Sequence, residues 1–518
     1  MEKLILSVDC GTQSLRVLLF SLKGELIDME KIPFEPYCSE HPGWAEQDPE
    51  LYWKSLCKAS SVLKKRNPED FSKICGVGVT TLRNTLVNVD KEGKPLRPAV
   101  VWLDQRKAEI VYSPTLLMRA ALKIIRMEEV VEKMQKEGKC NWIRQQQPGI
   151  WAKTHKYLQV SGFINFRLTG QFADSVASQI GHLPFNYRQL KWGDPKKPFA
   201  ISSKIYPVEK EKLPVLVQPG TPIGKITGTA SRQTGIPEGL PVIACGSDKG
   251  CETIGMGVLD HSMASLSFGT AATIQTTSAR YFEPKPFMPA YPASYPGRFN
   301  PEIEIFRGFW MVTWFKNEFA QKEEKKALSK GIPVEVVLNK LLKKTPPGSM
   351  GLIVQPYWSP SLSEPSAKGA MIGFGDVHKK AHVYRAVIEG LAFGLLEGMY
   401  RIEKKGRFKF RQLAVSGGAS QSNEICQISA DVFNLPIVRG TTFETSGLGA
   451  AILTALGTNC FNSIEEAIES MVSYQHSFEP NPENAMLYNH LYKRVYRKMY
   501  KLLEPLYKEI RGITGYPG

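Results

Sequence analysis

The feature that most constrains the fold is a strand, turn, strand pattern at the start of the chain that returns near its middle. Residues 4–20 predict two strands joined by the turn 9–12, and residues 265–277 predict two strands joined by a second glycine-threonine turn. Self-similarity at a long interval is typical of a duplicated domain. The sequence therefore favours two related domains over one continuous core.

Length and element order extend this prediction. A chain of 518 residues with 42% apolar positions is too long for one compact core, and we place the two domains at 1–258 and 259–518. Residues 142–168 have a helix-like pattern, and helices and strands alternate after residue 389. Such alternation favours an α/β fold with a mostly parallel sheet.

The positive charge does not by itself predict a nucleic-acid partner. Lys and Arg number 66 against 50 Asp and Glu, a net charge of +16. In segments such as 321–330 and 492–508 the basic residues alternate with acids and apolar residues at helical spacing, as on solvated helix faces. A basic stripe interleaved with aromatics, the usual mark of a nucleic-acid binder, is not seen in the sequence.

The cysteines and the hydropathy pattern indicate the cellular compartment. Nine cysteines are scattered without a CxxC pair, which argues against a zinc site or a disulfide framework. The first apolar run is short and includes Asp9, unlike a signal peptide, and no segment reaches the ~18 apolar residues of a membrane span. We expect a cytoplasmic protein with no membrane partner.

The first turn has the composition of a phosphate site. Asp9 is followed by a glycine and then by Thr12, Gln13 and Ser14. Backbone N–H groups and hydroxyls in such a turn can surround a phosphate, while the acid can hold Mg²⁺ through water. An ordinary tight hairpin with an acidic turn remains the alternative.

Two further glycine turns extend this pattern. Gly269 and Thr270 supply a second glycine and hydroxyl without an acid. Gly417 and Gly418 follow a predicted strand and precede a predicted helix, where a flat ring or a phosphate can approach the backbone. Each turn alone is also compatible with an ordinary connection.

Asp248 is the candidate general base. It follows the predicted strand 241–244 and is flanked by glycines, a position from which a carboxylate can accept a proton from a substrate hydroxyl. The alternative is that Asp248 only caps the helix that follows.

Taken in order, these motifs resemble the FGGY carbohydrate kinases, which include glycerol kinases and xylulokinases within the actin-like ATPase superfamily. The segment Lys139-Cys-Asn-Trp-Ile-Arg-Gln-Gln146 resembles the first family signature, with departures at Lys136 and Cys140. The segments 369–374 and 382–389 resemble the second signature, with a departure at Phe374. The matches extend over nearly the whole chain.

The resemblance implies an ATP-dependent kinase of a small sugar or polyol that requires Mg²⁺. It implies two ribonuclease H-like domains of the actin and hexokinase type, with ATP and sugar in the cleft between them. Asp248 would be the base and Asp9 the acid near Mg²⁺. The remaining nucleotide contacts would come from Thr12, Ser14, Gly269 and Thr270 at the phosphates and from Gly417, Gly418 and Asn423 at the adenosine. The predicted partners are a small carbohydrate and ATP, with a homodimer as a further option.

The acceptor side matches less closely. Arg83 resembles the arginine of glycerol kinases, but Asn84 replaces their acid, and Trp102 fits the substrate wall unless it is only a core residue. Lys249 replaces the amide usual beside the base. It would meet an acidic or carbonyl group of the substrate, or else point to solvent or pair with Glu252.

The departures Asn84 and Lys249 leave two alternative functions open. One is a kinase of an unusual acceptor, such as a tetrose, a sugar acid or a signalling furanone. The other is a catalytically weak, actin-like nucleotide-binding sensor. Retention of Asp9 and Asp248 speaks against the sensor, because a sensor needs no base at an acceptor site.

Overall fold

The chain is described from a computed structural model that covers residues 3–124, 127–197, 200–359, 364 and 366–516. In these residues no helix is both long and apolar enough to cross a membrane.

The first half is built on a six-stranded sheet with the order β13-β14-β5-β1-β2-β3. Strands β1, β5 and β14 run parallel, and β2, β3 and β13 pair antiparallel at the two sides. The strands are β1 (Leu4–Cys10), β2 (Ser14–Ser21), β3 (Leu26–Pro33), β4 (Glu46–Gln47), β5 (Ile74–Thr81), β6 (Leu86–Val89), β7 (Ala99–Val100), β8 (Lys156–Gln159), β9 (Ala173–Ser175), β10 (Phe185–Asn186), β11 (Lys191–Trp192), β12 (Val215–Val217), β13 (Pro222–Lys225) and β14 (Pro241–Ser247).

Helices cover this sheet and begin where capping residues occur. Helix α1 starts at Pro49, where Asp48 accepts the N–H of Glu50, and it ends in a basic turn that suits the negative end of the helix dipole. The helices are α1 (Pro49–Arg66), α2 (Pro68–Phe71), α3 (Leu116–Ile124), α4 (Glu128–Lys136), α5 (Lys139–Gln146), α6 (Pro148–Lys153), α7 (Val160–Thr169), α8 (Ile201–Ile205), α9 (Gly228–Thr234) and α10 (Asp248–Gly255).

The helix predicted over residues 142–168 is wrong in one respect. Strand β8 lies inside that segment and pairs antiparallel with β6. Tyr157 and Leu158 are buried there, and Pro148 starts a separate short helix. Sheet pairing with a distant strand therefore outweighs the local helical pattern.

The second half repeats the sheet with the order β19-β16-β15-β22-β23-β24. Its strands are β15 (Met263–Phe268), β16 (Ala272–Gln275), β17 (Tyr291–Pro292), β18 (Phe299–Asn300), β19 (Glu302–Ile305), β20 (Ile353–Gln355), β21 (Ala370–Ile372), β22 (Gln412–Ser416), β23 (Ile437–Gly440) and β24 (Tyr474–Phe478). Its helices are α11 (Trp310–Phe319), α12 (Gln321–Leu328), α13 (Val334–Lys344), α14 (Lys380–Gly406), α15 (Asn423–Phe433), α16 (Thr445–Gly457), α17 (Ile464–Met471), α18 (Pro482–Leu491) and α19 (Arg497–Thr514).

The two sheets share one arrangement. Each has three parallel strands, with two antiparallel strands on one side and one on the other: β1, β5 and β14 in the first, β15, β22 and β23 in the second. The duplication predicted from the paired hairpins is therefore present. The predicted boundary between residues 258 and 259 falls shortly after α10 and remains a prediction.

Helices α10 and α16 pack together very closely and connect the halves. A Cβ on Gly255 would lie 2.0 Å from the Thr445 carbonyl oxygen, and one on Gly449 would lie 1.9 Å from the Cys251 carbonyl oxygen. Only glycine permits this approach. The contact brings the beginning of α10, and with it Asp248, next to the second half.

Candidate active site

Three predicted site residues meet at one edge of the first sheet. Asp9 lies near the end of β1, Arg83 lies two residues beyond β5, and Asp248 directly follows β14. These strands are parallel neighbours, so their carboxyl ends meet at the same edge, where ligands bind in open α/β sheets. The charges of Asp9 and Arg83 both lie close enough to Asp248 to couple with it electrostatically.

Asp9 is buried but retains a charged neighbour. The Nη1 atom of Arg16 lies 2.9 Å from Asp9 Oδ2 and 3.4 Å from Glu444 Oε2, which belongs to the second half. Burial raises the pKa of Asp9 to about 6, against the opposing effect of Arg16, and the charges of Asp248 and Glu444 raise it further. Asp9 therefore changes charge around pH 6.

Asp248 is not the cap of α10. That role belongs to Ser247, whose hydroxyl accepts the N–H of Gly250 at 3.3 Å. One oxygen of Asp248 accepts the N–H of Lys249 at 2.8 Å. Burial raises the pKa of Asp248, while the charges of Arg83 and Lys249 lower it. The carboxylate is thus positioned independently of the capping function.

The first glycine turn is closed by its own backbone. The Gly11 N–H donates to the Ser14 carbonyl at 2.9 Å, and Ser14 is buried while Gln13 is exposed. Thr12 Oγ1 accepts a hydrogen bond from Trp102 Nε1 at 3.0 Å. The predicted phosphate turn and the predicted acceptor wall are therefore in direct contact.

The second and third glycine turns lie side by side. Strands β15 and β22 pair in parallel with Ser267 opposite Ser416, so Gly269 and Gly417 follow neighbouring strand ends. Gly417 has φ of +85°, and a Cβ there would lie 2.7 Å from the Phe268 carbonyl carbon, whereas Gly418 faces open space. Gly417 is thus required by geometry, and Gly418 leaves room for a ligand.

Lys249 and Glu252 connect α10 to both of these turns. Lys249 Nζ lies 2.7 Å from Glu252 Oε2 and donates to Ser267 Oγ at 2.6 Å. Glu252 Oε1 accepts the hydroxyls of Ser267 and Ser416. Pairing with Glu252, one of the alternatives for Lys249, is the arrangement found, and the expected contact with an acidic acceptor remains a prediction.

A cavity of about 660 Å³ opens beside the third turn. Asn423 lies in its wall, and the Arg439 guanidinium donates to Asn423 Oδ1 at 2.9 Å and to the Ser420 carbonyl at 2.7 Å. The cavity wall is mixed. Its apolar and amide side chains, which suit a heteroaromatic ring, are Leu342, Ile428, Phe478, Gln427 and Asn484, and its charged side chains are Lys343, Lys344, Arg385, Glu424 and Asp431.

Arg83 faces the second half. Its guanidinium nitrogens lie 3.1 and 3.2 Å from the two oxygens of Glu302, and its charge centre is 5.2 Å from the Tyr291 ring. Burial acts to lower the pKa of Arg83, but the negative charges around it, Glu302 foremost and then Asp248, together outweigh burial and hold the pKa above its ordinary value. Arg83 therefore links the edge that carries Asp248 to β19.

Asn84 and Trp102 are the other two residues predicted at the acceptor. Asn84 has φ of +54°, and its Oδ1 accepts the His182 N–H at 3.1 Å. Its carbonyl accepts a hydrogen bond from Lys139, whose pKa burial lowers to about 7. Trp102 is 37% exposed, so the interpretation of Trp102 as an ordinary core residue is wrong.

Several residues that lie at the site were not predicted to belong to it from the sequence. Arg16 and Glu444 flank Asp9, Lys139 holds Asn84, and Glu302 with Glu304 contributes from β19. The last two had a readable signal, because the alternation Glu-Ile-Glu-Ile places both acids on one face of a strand. Within the described ranges, no group of three or more His, Cys, Asp or Glu side chains could hold a metal ion without other ligands.

Comparison with known proteins gives the family. Residues 4–255 match the N-terminal domain of the FGGY family of carbohydrate kinases, and residues 264–458 match its C-terminal domain. An uncharacterized sugar kinase, YgcE, of Escherichia coli K12 is 28% identical over 99% of this chain and 97% of its own length. A xylulose kinase of Lactococcus lactis is 25% identical over 94% of both chains.

The fold agrees with this match. The crystal structure of gluconate kinase from Lactobacillus acidophilus superimposes with a TM-score of 0.82 over 98% of this chain and all of that one, at 21% identity. The predicted pair of actin-like domains is therefore confirmed. With both family domains matched across most of its length, the chain belongs to the FGGY family of carbohydrate kinases.

Proposed function

We propose that this FGGY kinase transfers the γ-phosphoryl group of ATP to a hydroxyl of a small sugar or polyol, with Asp248 as the general base. The supporting observation is the position of Asp248, which is partly buried at the carboxyl edge of the first sheet while Ser247 caps the helix. A carboxylate freed from capping and adjacent to a cleft can take a hydroxyl proton.

In the proposed reaction the acceptor hydroxyl lies against Asp248. Its oxygen attacks the γ-phosphorus, the bond from that phosphorus to the β,γ-bridging oxygen breaks, and the hydroxyl proton passes to Asp248. The products are ADP and the phosphate ester. Raising the pKa of Asp248 by burial makes it a better proton acceptor, and Arg83 and Lys249 keep it ionised beforehand.

The nucleotide would lie across both halves. We assign its phosphates to the turns around Thr12, Gln13 and Ser14 and around Gly269 and Thr270, and its adenosine to Gly417, Gly418 and the cavity at Asn423. Backbone N–H groups in such turns stabilise the charge that spreads over the transferred phosphoryl group. The contact of Gly417 with Phe268 supports this arrangement, because it brings the second and third turns together.

Mg²⁺ fits the first turn as a partner of the nucleotide. Mg²⁺ keeps several waters and takes one or two carboxylates plus phosphate oxygens, so a lone buried carboxylate such as Asp9 suffices. When bound, the ion would neutralise phosphate charge during transfer. Asp9 would hold it, directly or through water, and Arg16 would have to share that carboxylate.

We assign Arg83, Asn84 and Trp102 to binding of the acceptor. Lys249 would stabilise the second phosphate turn through its hydrogen bond to Ser267. A cytoplasmic location is proposed as well, because all nine cysteines are free thiols, as a reducing compartment maintains them. A homodimer stays a prediction that light scattering would test.

The test is a coupled ADP-release screen of the purified protein against polyols, ketoses and sugar acids. We expect ADP release that depends on both the acceptor and Mg²⁺, with a phosphorylated acceptor detected by mass spectrometry. ATP turnover that no acceptor stimulates would contradict the proposal and favour a nucleotide-binding sensor. Turnover undiminished in excess chelator would contradict the Mg²⁺ assignment alone.

A further inference from the structure

Strand β19 brings two carboxylates to the acceptor side of the cleft. Glu302 and Glu304 are two residues apart on this strand, so both side chains lie on the same face of the sheet. The charges of Arg83, Lys249 and Asp248 all lie close enough to Glu304 to act on its pKa. Because Glu302 also contacts Arg83 directly, the pair lies near the base and beside a residue assigned to the acceptor.

The two carboxylates differ in their partners. Glu302 is buried and bound by both nitrogens of the Arg83 fork. Glu304 is only partly buried, and no other described residue satisfies its carboxylate through a hydrogen bond or ion pair. Burial and the neighbouring Glu302 charge raise the pKa of Glu304 to about 7. A partly exposed carboxylate without a protein partner can accept hydrogen bonds from a ligand.

A second polar group beside Glu304 is also unsatisfied. Thr273 lies directly opposite Glu304 in the pairing of β16 with β19. Thr273 is 1% exposed, and its hydroxyl has no hydrogen-bond partner among the described residues. Buried hydroxyls are rarely left unpaired in folded proteins. The face that carries Glu304 thus presents a carboxylate and a hydroxyl, both ready to accept hydrogen bonds.

The cations near Glu304 are already engaged. Arg83 is bound to Glu302, and Lys249 is bound to Glu252 and Ser267. The remaining charges that face Glu304 are negative, namely Glu302 and Asp248. A carboxylate on the acceptor would therefore meet like charges here, and a like-charge contact across an interface is strongly unfavourable.

We propose that Glu304 selects the acceptor by its charge: the site takes an acceptor whose non-reacting end donates hydrogen bonds through a hydroxyl or an ammonium group, and it disfavours a sugar acid. This inference rests on the proposed kinase function and narrows its substrate class. It also reverses the acceptor preference that Lys249 suggests from the sequence, because Lys249 is held by Glu252.

The experiment compares acceptors that differ only at one end. For chains of three, five and six carbons, kcat/KM is measured for the polyol, the matching aldonic acid and the matching terminal amino-polyol. At pH 8 we expect the polyol and the amino-polyol to exceed the acid by at least about tenfold at the chain length used best, as a charge-assisted contact implies. Glu304→Gln should reduce that preference severalfold, whereas Glu335→Gln, at an exposed carboxylate on α13, should leave it unchanged.

The pH dependence provides a second readout. Glu304 is mostly protonated at pH 6 and mostly ionised at pH 8, since its pKa is about 7. The preference for polyol over acid should therefore grow from pH 6 to pH 8 in the native protein and stay flat in Glu304→Gln. Titration of Asp9 and Asp248 affects the reaction of both acceptors at a given pH, so the ratio removes much of their contribution.

The possible outcomes distinguish failure of the Glu304 assignment from failure of the proposed kinase function. Fastest turnover of the aldonic acids, or a preference unaltered by Glu304→Gln, would overturn the inference and leave the kinase proposal standing. ADP release with none of the nine compounds above the acceptor-free rate would overturn the inference, and the kinase proposal would fall as well if ketoses also failed to stimulate ADP release.

Discussion

The two halves of the molecule have the same sheet but carry different chemistry at its edge. In the first half the turn after β1 includes an acid, Asp9, and the neighbouring strand ends supply Arg83 and Asp248. In the second half the corresponding turn has Gly269 and no acid, and Gly417 follows the neighbouring strand β22, with Asn423 a few residues later in the wall of a cavity. We propose that this one sheet arrangement supports the base and the metal-holding acid in the first half and the adenosine site in the second, with phosphate turns in both.

The largest expected effect is that of Asp248→Asn, which tests whether the first half supplies the base. The amide keeps the size of the side chain but cannot take up the hydroxyl proton, so kcat should fall by about 10²–10⁴-fold, the usual contribution of general base catalysis. The measurement is steady-state ADP release with the best acceptor.

The matched control for this change is Asp260→Asn, at an exposed carboxylate beyond the end of α10. It should leave kcat within about twofold. A near-normal kcat for Asp248→Asn would show that this aspartate is not the base.

In the second half, the matched pair Gly417→Ala and Gly418→Ala tests the nucleotide turn. Alanine at 417 would combine a φ of +85° with a Cβ only 2.7 Å from the Phe268 carbonyl carbon, whereas at 418 the space is open. We expect a loss of about 1–3 kcal/mol in stability for Gly417→Ala, together with a raised KM for ATP. Gly418→Ala should stay within about 0.5 kcal/mol. Thermal unfolding and ATP saturation curves measure both, and equal behaviour of the two variants would argue against this geometry.

The acid in the first turn predicts a pH dependence that the second turn lacks. The pKa of Asp9 is about 6, so the carboxylate is increasingly protonated as the pH falls through 6. The affinity for Mg²⁺-ATP should then weaken, approaching about tenfold per pH unit below the pKa, apart from proton uptake by ATP itself. The Asp9→Asn variant corrects for that uptake and should show a shallower dependence. Parallel pH profiles for the two proteins would exclude Asp9 from metal binding.

The smallest expected effect comes from Trp102→Phe, which tests the contact between the proposed acceptor wall and the first phosphate turn. Trp102→Phe removes the bond from Nε1 to Thr12 at an exposed position, which contributes about 0.5–1.5 kcal/mol. The kcat/KM for the acceptor should fall severalfold with little change in the melting temperature. Trp53→Phe is the control, because it removes a similar bond, to Gln233 at 2.8 Å. It should lower stability and leave kinetics unchanged. Reversed behaviour of the pair would contradict the assignment.

The duplicated hairpins were predictable because their turns are local. The strands around residues 9–12 and 269–270 follow from apolar runs broken by glycine, and the structure has both. Asp9, Asp248 and Gly417 could be chosen for the same reason, since Asp9 is the penultimate residue of β1 and the other two directly follow β14 and β22. Local pattern was sufficient to locate a residue whose place depends only on its position along one strand.

Features set by distant contacts could not be predicted in this way. Strand β8 within the expected helix at 142–168 exists because it pairs with β6, which lies far away in sequence. The pairing of Lys249 with Glu252 was only one of several options, because the choice depends on Ser267 in the other half. The position of Glu304 near Arg83, Lys249 and Asp248 could not be predicted, because it depends on where β19 packs.

The division of labour between the halves is tested most directly by the affinity of Mg²⁺-ADP for two variants, measured by calorimetry. Asp248→Asn should bind Mg²⁺-ADP within about twofold of the native protein, since its phosphate turns are unchanged, while Gly417→Ala should bind it at least about fivefold more weakly. If Asp248→Asn instead loses nucleotide affinity as severely as Gly417→Ala, the base and the nucleotide site are not separate, and the account is contradicted.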